Sequence, residues 1–259
     1  MKILQLQPVT GAFYPAGVQR LDYASAVDGT PDWALLRPGK RHELWMVVLH
    51  GHGARGDQLY TRRDVRENWL PEFLATYAGI ITLNLRGNAW MCPAAAADLH
   101  AILDFLRAEF GLQKTIFCSG SMGGTSNLIY GVLYPGDVAG IVARGAATDL
   151  GSYYRWCMTQ TRPILREIAD AIRTAYGAAP DQAPEIYRRH SAQANVDQLA
   201  MPVYLVHGAS DQTIPVEQAQ MLADKLRDKK DFFYHEIPGG NHDSPLHDTQ
   251  GLAWVLQRI

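Results

Sequence analysis

The chain has 259 residues, 47% of them hydrophobic, which is ample for a sizeable core in one or two domains. The formal net charge is −2; no run of like charges suggests a nucleic-acid stripe or a membrane patch, which argues against a polyanion-binding protein. No apolar run approaches the length of a membrane span, and Cys92, Cys118 and Cys157 are odd in number, far apart and in no metal spacing, so they read as small core residues with free thiols.

The first stretch, MKILQLQPVTGAFYPAG, has no continuous apolar segment and no small-residue cleavage site, so a soluble, cytoplasmic protein is expected. RLDYASAVDGTPDWALLRP follows, with a DGT turn between two short extended runs, and predicts an antiparallel hairpin. From there short apolar runs alternate with helix-length segments. Strands are expected over 43–50, 79–85, 114–119, 138–144, 202–207 and 231–237, all rich in Val, Ile, Leu, Phe and Tyr. NWLPEFLATYA, AAAADLHAILDFLRAEF, the run after Gly124 and PVEQAQMLADKLRDK supply helices. This alternation implies an α/β fold with a mostly parallel central sheet flanked by helices on both faces, in a single domain over 1–259. Residues 147–200 contain no convincing strand. They read as a helical insertion folded over the C-terminal edge of the sheet, the other reading being ordinary crossover helices.

In an open parallel sheet, ligands bind beyond the carboxyl ends of the strands. Polar residues at those ends form a pattern: HGHG (His50–Gly53), CSGSMGG (118–124), GASDQTIP containing Asp211, and PGGNHDSP containing His242. A serine, an aspartate and a histidine thus stand at three strand ends in the order Ser…Asp…His, the order of the α/β-hydrolase triad. A nucleophile on a sharp strand-to-helix turn needs small residues two before and two after it. Ser121 has Ser119 and Gly123 there, whereas Ser119 would have Phe117, so Ser121 is the candidate nucleophile. His242 would take and return its proton, and Asp211 would hold the imidazole. Asp243 and Asp149 are weaker candidates for the acid. The developing oxyanion needs donors, expected from the backbone N–H of Met122 and from the HGHG loop at His52. An H-x-H metal pair of His50 and His52 lacks the companion ligands of a hydrolytic metal site, so neither metal nor cofactor is expected. His207, before Gly208 at a strand end, reads as structural. Trp90, after another strand end, and Tyr153, Tyr154 and Trp156, opening the insertion, are candidates for substrate contact or for packing the insertion onto the core.

At this point the chain resembles the α/β-hydrolase superfamily, and more narrowly the catalytic domain of the prolyl oligopeptidase family and its stand-alone esterase relatives. The run AYGAAPDQAPEIYRRHSAQANVDQLAMPVYLVHGASDQTIPVEQAQMLADKL is similar to that family's stretch leading to its aspartate, P-V-x-L-x-H-G-x-x-D-x-x-V-P, with HSAQ where a serine-proline is usual. SAVDGTPDWALL resembles the family's entry hairpin. The resemblance maps nucleophile, acid and base onto Ser121, Asp211 and His242. Some members use a tyrosine hydroxyl in the oxyanion hole, and the matching position here is His52, which favours a backbone donor. The expected activity is hydrolysis of a small-molecule carboxylic ester through an acyl-enzyme, with a peptidase of the same mechanism and a non-catalytic binding protein as alternatives. The exopeptidases of this family carry a large additional domain, whereas the hydrolase motifs here run from about residue 20 to the end.

Overall fold

The computed structural model describes residues 1–259. A nine-stranded sheet runs through the molecule. Its strands are β1 (Lys2–Pro8), β2 (Gln19–Ala24), β3 (Pro31–Arg37), β4 (Arg41–Leu49), β5 (Ala78–Leu83), β6 (Lys114–Gly120), β7 (Gly140–Arg144), β8 (Val203–Gly208) and β9 (Phe232–Ile237), in the order β1-β2-β3-β5-β4-β6-β7-β8-β9. The first three are antiparallel and β3 joins β5 antiparallel; β4 to β9 are all parallel. The mostly parallel sheet and the entry hairpin are therefore as the sequence predicts. In the hairpin turn Asp28 accepts a hydrogen bond from the Thr30 N–H at 3.0 Å.

The strand sequences supply both faces at once. In β4, Trp45, Val47 and Leu49 point into one apolar cluster, and Leu44, Met46 and Val48 into the other. Because both faces are covered, such a strand reads as a continuous apolar run. On the first face pack α3 (Pro93–Phe110), α4 (Met122–Leu133) and α8 (Glu217–Leu226); on the second, α2 (Arg63–Ala75), which follows the single turn α1 (Gln58–Thr61), and the C-terminal α9 (Gln250–Leu256). Between β7 and β8 lie α5 (Leu150–Thr159), α6 (Pro163–Tyr176) and α7 (Pro184–Arg189), the helical insertion. In α6, Leu165, Ile168, Ala169, Ile172 and Tyr176 form a buried stripe at helical spacing, which docks the insertion onto the first face.

Three boundaries differ from expectation. The strand expected over 79–85 ends at Leu83, because Leu85 and Arg86 take positive φ (43° and 63°) and turn the chain out of the sheet. The helix expected from Asn68 begins at Arg63, its polar first turns carrying no apolar period. β1 was not expected: it is an edge strand with mostly exposed side chains, so burial leaves no pattern in it. No helix is long and apolar enough to cross a membrane. All three cysteines are buried and unpaired.

Candidate active site

Ser121 sits between β6 and α4 with φ 57° and ψ −127°, a backbone that L-residues rarely adopt. The turn is held from below by the Ser121 N–H, which donates to the Arg144 carbonyl of β7 at 2.8 Å. The space around it is closed. A Cβ at Gly123 would run into the Leu49 carbonyl oxygen, and one at Gly124 would lie 3.1 Å from the Arg144 oxygen and 3.2 Å from the Ala146 Cβ. Ser119, in the other small-residue position, is fully buried. Its Oγ accepts from the Leu49 N–H at 2.9 Å and lies 3.1 Å from Asn127 Oδ1.

Asp211 follows β8 and His242 follows β9, so neighbouring parallel strands deliver both to the edge where β6 delivers Ser121. The Ser121 Oγ lies 2.9 Å from His242 Nε2, and His242 Nδ1 lies 2.7 Å from Asp211 Oδ2. Asp211 Oδ1 accepts from the backbone N–H groups of Thr213 (2.7 Å) and Ile214 (3.0 Å). Burial opposes ionisation of Asp211, but donors from His207, His242 and the Ile214 backbone outweigh it and hold the carboxyl well below the usual carboxylate range. The weaker candidates are engaged elsewhere. Asp149 caps α5, accepting from the Ser152 N–H at 2.6 Å, and also accepts from the Ser191 hydroxyl at 2.6 Å. Asp243 pairs with Arg62 at 3.0 Å.

The HGHG loop passes over Ser121: a Cβ at Gly51 would sit 3.9 Å from that of Ser121. The Gly51 and Gly53 N–H groups donate to Gln58 Oε1 and Asn88 Oδ1, each at 2.8 Å, while the His52 N–H between them has no partner within the protein. Met122 is the first residue of α4, so its N–H has no intrahelical acceptor. The two backbone groups expected to meet an oxyanion are thus unengaged. The His52 ring receives the Trp90 Nε1–H on Nδ1 at 3.3 Å, which leaves its own proton on Nε2, 3.5 Å from Glu167 of α6. Burial lowers the basicity of His52 against the pull of Glu167. Both ring nitrogens of His50 face backbone carbonyls, those of Gly51 and Asn84.

Of the two roles open to the four aromatics, substrate contact and packing, the structure supports packing. Trp90 is 1% exposed and Tyr153 fully buried; Tyr154 is buried too, and Trp156 stacks on Tyr153. None lines the cleft beside Ser121. The Tyr153 hydroxyl donates to the Thr213 carbonyl and Trp90 packs on Tyr153, so these rings fasten the insertion and the Trp90 loop to the core. The cleft, of about 160 Å³, is walled instead by Val65 and Trp69 of α2, Leu246, and Ile164 and Ile168 of α6, with Arg62, Gln58 and Asp243 supplying polarity. Sequence reasoning missed these residues. Ile164 and Ile168 carried a usable signal, being one turn apart on the helix expected to cover the site; Arg62 and Val65 lie just before and within the unrecognised start of α2, and Trp69 lies in its recognised part but carried no sign of facing the site.

Family models match the chain in two overlapping pieces: residues 84–191 match serine aminopeptidase, S33, and residues 142–258 match the prolyl oligopeptidase family. Esterase LipC of Mycobacterium tuberculosis is 37% identical over 105 residues, 40% of this chain and 26% of that protein. The uncharacterized peptidase YtmA of Bacillus subtilis is 26% identical over 107 residues, 41% of this chain and 38% of that one. The matches thus span well under half the length of these relatives. Among solved structures, FphF, a fluorophosphonate-binding serine hydrolase of Staphylococcus aureus, superposes with a TM-score of 0.70 at 13% identity, covering 94% of this chain and 98% of its own. Sheet, elbow and structural likeness together define an α/β-hydrolase fold. The chain has that fold and resembles serine hydrolases of the prolyl oligopeptidase family.

Proposed function

We propose that the chain is a carboxylesterase working through an acyl-enzyme, its 259 residues forming a single hydrolase domain. Ser121 is the nucleophile, His242 the general base and acid, and Asp211 the acid that orients His242. As Ser121 Oγ attacks the ester carbonyl, His242 Nε2 takes its proton; the oxyanion is met by the N–H groups of Met122 and His52; His242 then protonates the leaving alcohol, and water repeats the cycle on the acyl-enzyme. The observation that carries this reading is the unbroken relay of 2.7 Å and 2.9 Å from Asp211 through His242 to a serine on a strained turn.

Similarity to peptidases gives the second reading, amide hydrolysis by the same groups. Against it stands the charge of the cleft. Its one lining carboxylate, Asp243, is paired with Arg62, and Glu167, outside the lining, is turned to the His52 ring at 3.5 Å, so the lining itself offers no unpaired acid for a substrate amino terminus. An ester also has the better leaving group and needs less positioning. The experiment has two parts. A fluorophosphonate probe, suggested by the name of the S. aureus neighbour, is expected to label the protein and not Ser121→Ala. Matched panels of aryl esters and aminoacyl anilides then compare kcat/KM. Labelling that survives Ser121→Ala sinks the nucleophile assignment, and preference for any anilide over every ester replaces the esterase by the peptidase.

A further inference from the structure

Asp211 has a second histidine. His207 is the penultimate residue of β8, four before Asp211 in sequence, and both side chains are fully buried. His207 Nε2 lies 2.9 Å from the Ile214 carbonyl oxygen and 3.3 Å from Asp211 Oδ2. A carbonyl oxygen only accepts, so the hydrogen-bond network assigns the ring proton to Nε2. Nδ1 is buried with no partner. A proton there would be a buried donor with nothing to receive it. The ring is therefore neutral, and its one N–H is shared between the Ile214 carbonyl and the Asp211 carboxylate. Oδ2 thus faces two imidazole donors, His242 Nδ1 at 2.7 Å and His207 Nε2 at 3.3 Å, while Oδ1 accepts two backbone N–H groups.

We propose that His207 is a positioning residue that acts through Asp211: its N–H fixes Oδ2 in line with His242 and moderates how strongly the carboxylate stabilises the protonated form of His242. This rests on the roles assigned above to Asp211 and His242. The other charged or titratable groups facing the cluster are committed elsewhere. Glu236 of β9, in register with His207, accepts from Gln220 and from the Tyr234 hydroxyl. Tyr153 of α5 donates to the Thr213 carbonyl, Arg162 to the Gln212 carbonyl, and Asp243 pairs with Arg62. Of the neutral donors within reach of Asp211, only His207 is a side chain without another task in the relay.

The direction of the effect follows. With the His207 donor removed, the Asp211 charge is less compensated and holds the His242 proton more tightly, so the neutral base appears only at higher pH. Wild type, His207→Leu and His207→Gln are compared by the pH profile of kcat/KM and of the fluorophosphonate labelling rate. In His207→Leu the acid limb is expected to move up by roughly half a pH unit or more, with several-fold slower labelling on the limb and less loss at the alkaline plateau. Gln carries an N–H near the place of Nε2 and is expected to restore the wild-type limb. A limb unmoved in His207→Leu, with only stability or plateau reduced, makes His207 a packing residue; an equal shift in His207→Gln excludes the donor. A readout independent of the variants is ¹⁵N-histidine NMR of the wild type, whose ring shifts report which nitrogen carries the proton. His207 is expected as the Nε2–H tautomer, and an Nδ1–H or doubly protonated ring overturns the proposal. Labelling that persists in Ser121→Ala would instead sink the reading of the site, so the two failures are distinguishable.

Discussion

Ser119 stands where nucleophile turns of this kind usually have glycine, and its hydroxyl has a function in the fold. It accepts the Leu49 N–H at the very end of β4, where the HGHG loop departs, and reaches Asn127 Oδ1, whose Nδ2 donates to the Val142 carbonyl. One small side chain therefore ties the HGHG loop to the elbow. Ser119→Gly should strand the buried Leu49 N–H, lowering the free energy of unfolding by roughly 1–3 kcal/mol in urea titration, with a fall in kcat as the loop loosens. Unchanged stability would mean that another group takes over the Leu49 N–H. Asp211→Asn should cut kcat about 10⁴-fold, as when a triad acid is neutralised. Asp149→Asn should leave kcat within a small factor while costing stability through the α5 cap; the reverse pattern would reassign the acid. The depressed carboxyl of Asp211 also bears on folding. Its contribution to stability is complete above the unfolded carboxylate value of about 4 and is lost as pH falls through the lower folded value. In Asp211→Asn, acid unfolding should therefore show a shallower dependence on pH.

At the scale of elements, the insertion helices divide their faces between core and cleft. α6 buries Leu165, Ala169 and Ile172 and turns Ile164 toward the site. Because Ile164 is 37% exposed, its truncation should touch binding more than folding. Ile164→Ser is expected to raise KM for an aryl ester up to about tenfold, the lower end of what one apolar contact discriminates, with Tm unchanged. A drop in Tm with no change in KM would make α6 a packing element alone. The aromatics of α5 illustrate the opposite partition. Tyr153 and Tyr154 are too large to leave in water where the insertion meets the body, so they became the joint itself.

For the whole molecule, the relay depends on residues far apart in sequence, and Arg144 joins them. Its carbonyl holds the Ser121 N–H. Its guanidinium, fully buried, donates to the Asp248 carbonyl at 3.0 Å and to Cys118 Sγ at 3.1 Å, and lies 4.5 Å from the Trp69 ring centre. Trp69 in turn donates to the Leu246 carbonyl at 2.7 Å. The loop bearing His242 is thus anchored to the strand that supports Ser121. Arg144 has no carboxylate within ion-pair distance among its partners, so its worth lies in these neutral acceptors. Arg144→Met should lower Tm by several degrees, as expected when buried acceptors are stranded, and should reduce the fluorophosphonate labelling rate more than it weakens binding of a reversible ester analogue. Equal losses in both would make Arg144 a stability residue only.

What the sequence by itself determined follows from local and periodic signals. Strand runs, helix-length segments and the small residues around Ser121 are short-range features, and placing Ser, Asp and His at three strand ends needed only the rule that parallel strands deliver their carboxyl ends to one edge. β1 and the start of α2 escaped because an exposed strand and a polar helical turn carry no burial pattern. Tertiary structure alone decided which aromatics face substrate and which face core, since Trp90 and Tyr153 are the same residue types either way. It also decided that Asp243 belongs to Arg62, that Arg144 spans two loops and that His207 faces Asp211. Each of these is a contact between side chains whose partner is chosen by packing in three dimensions, and no spacing along the chain encodes that choice.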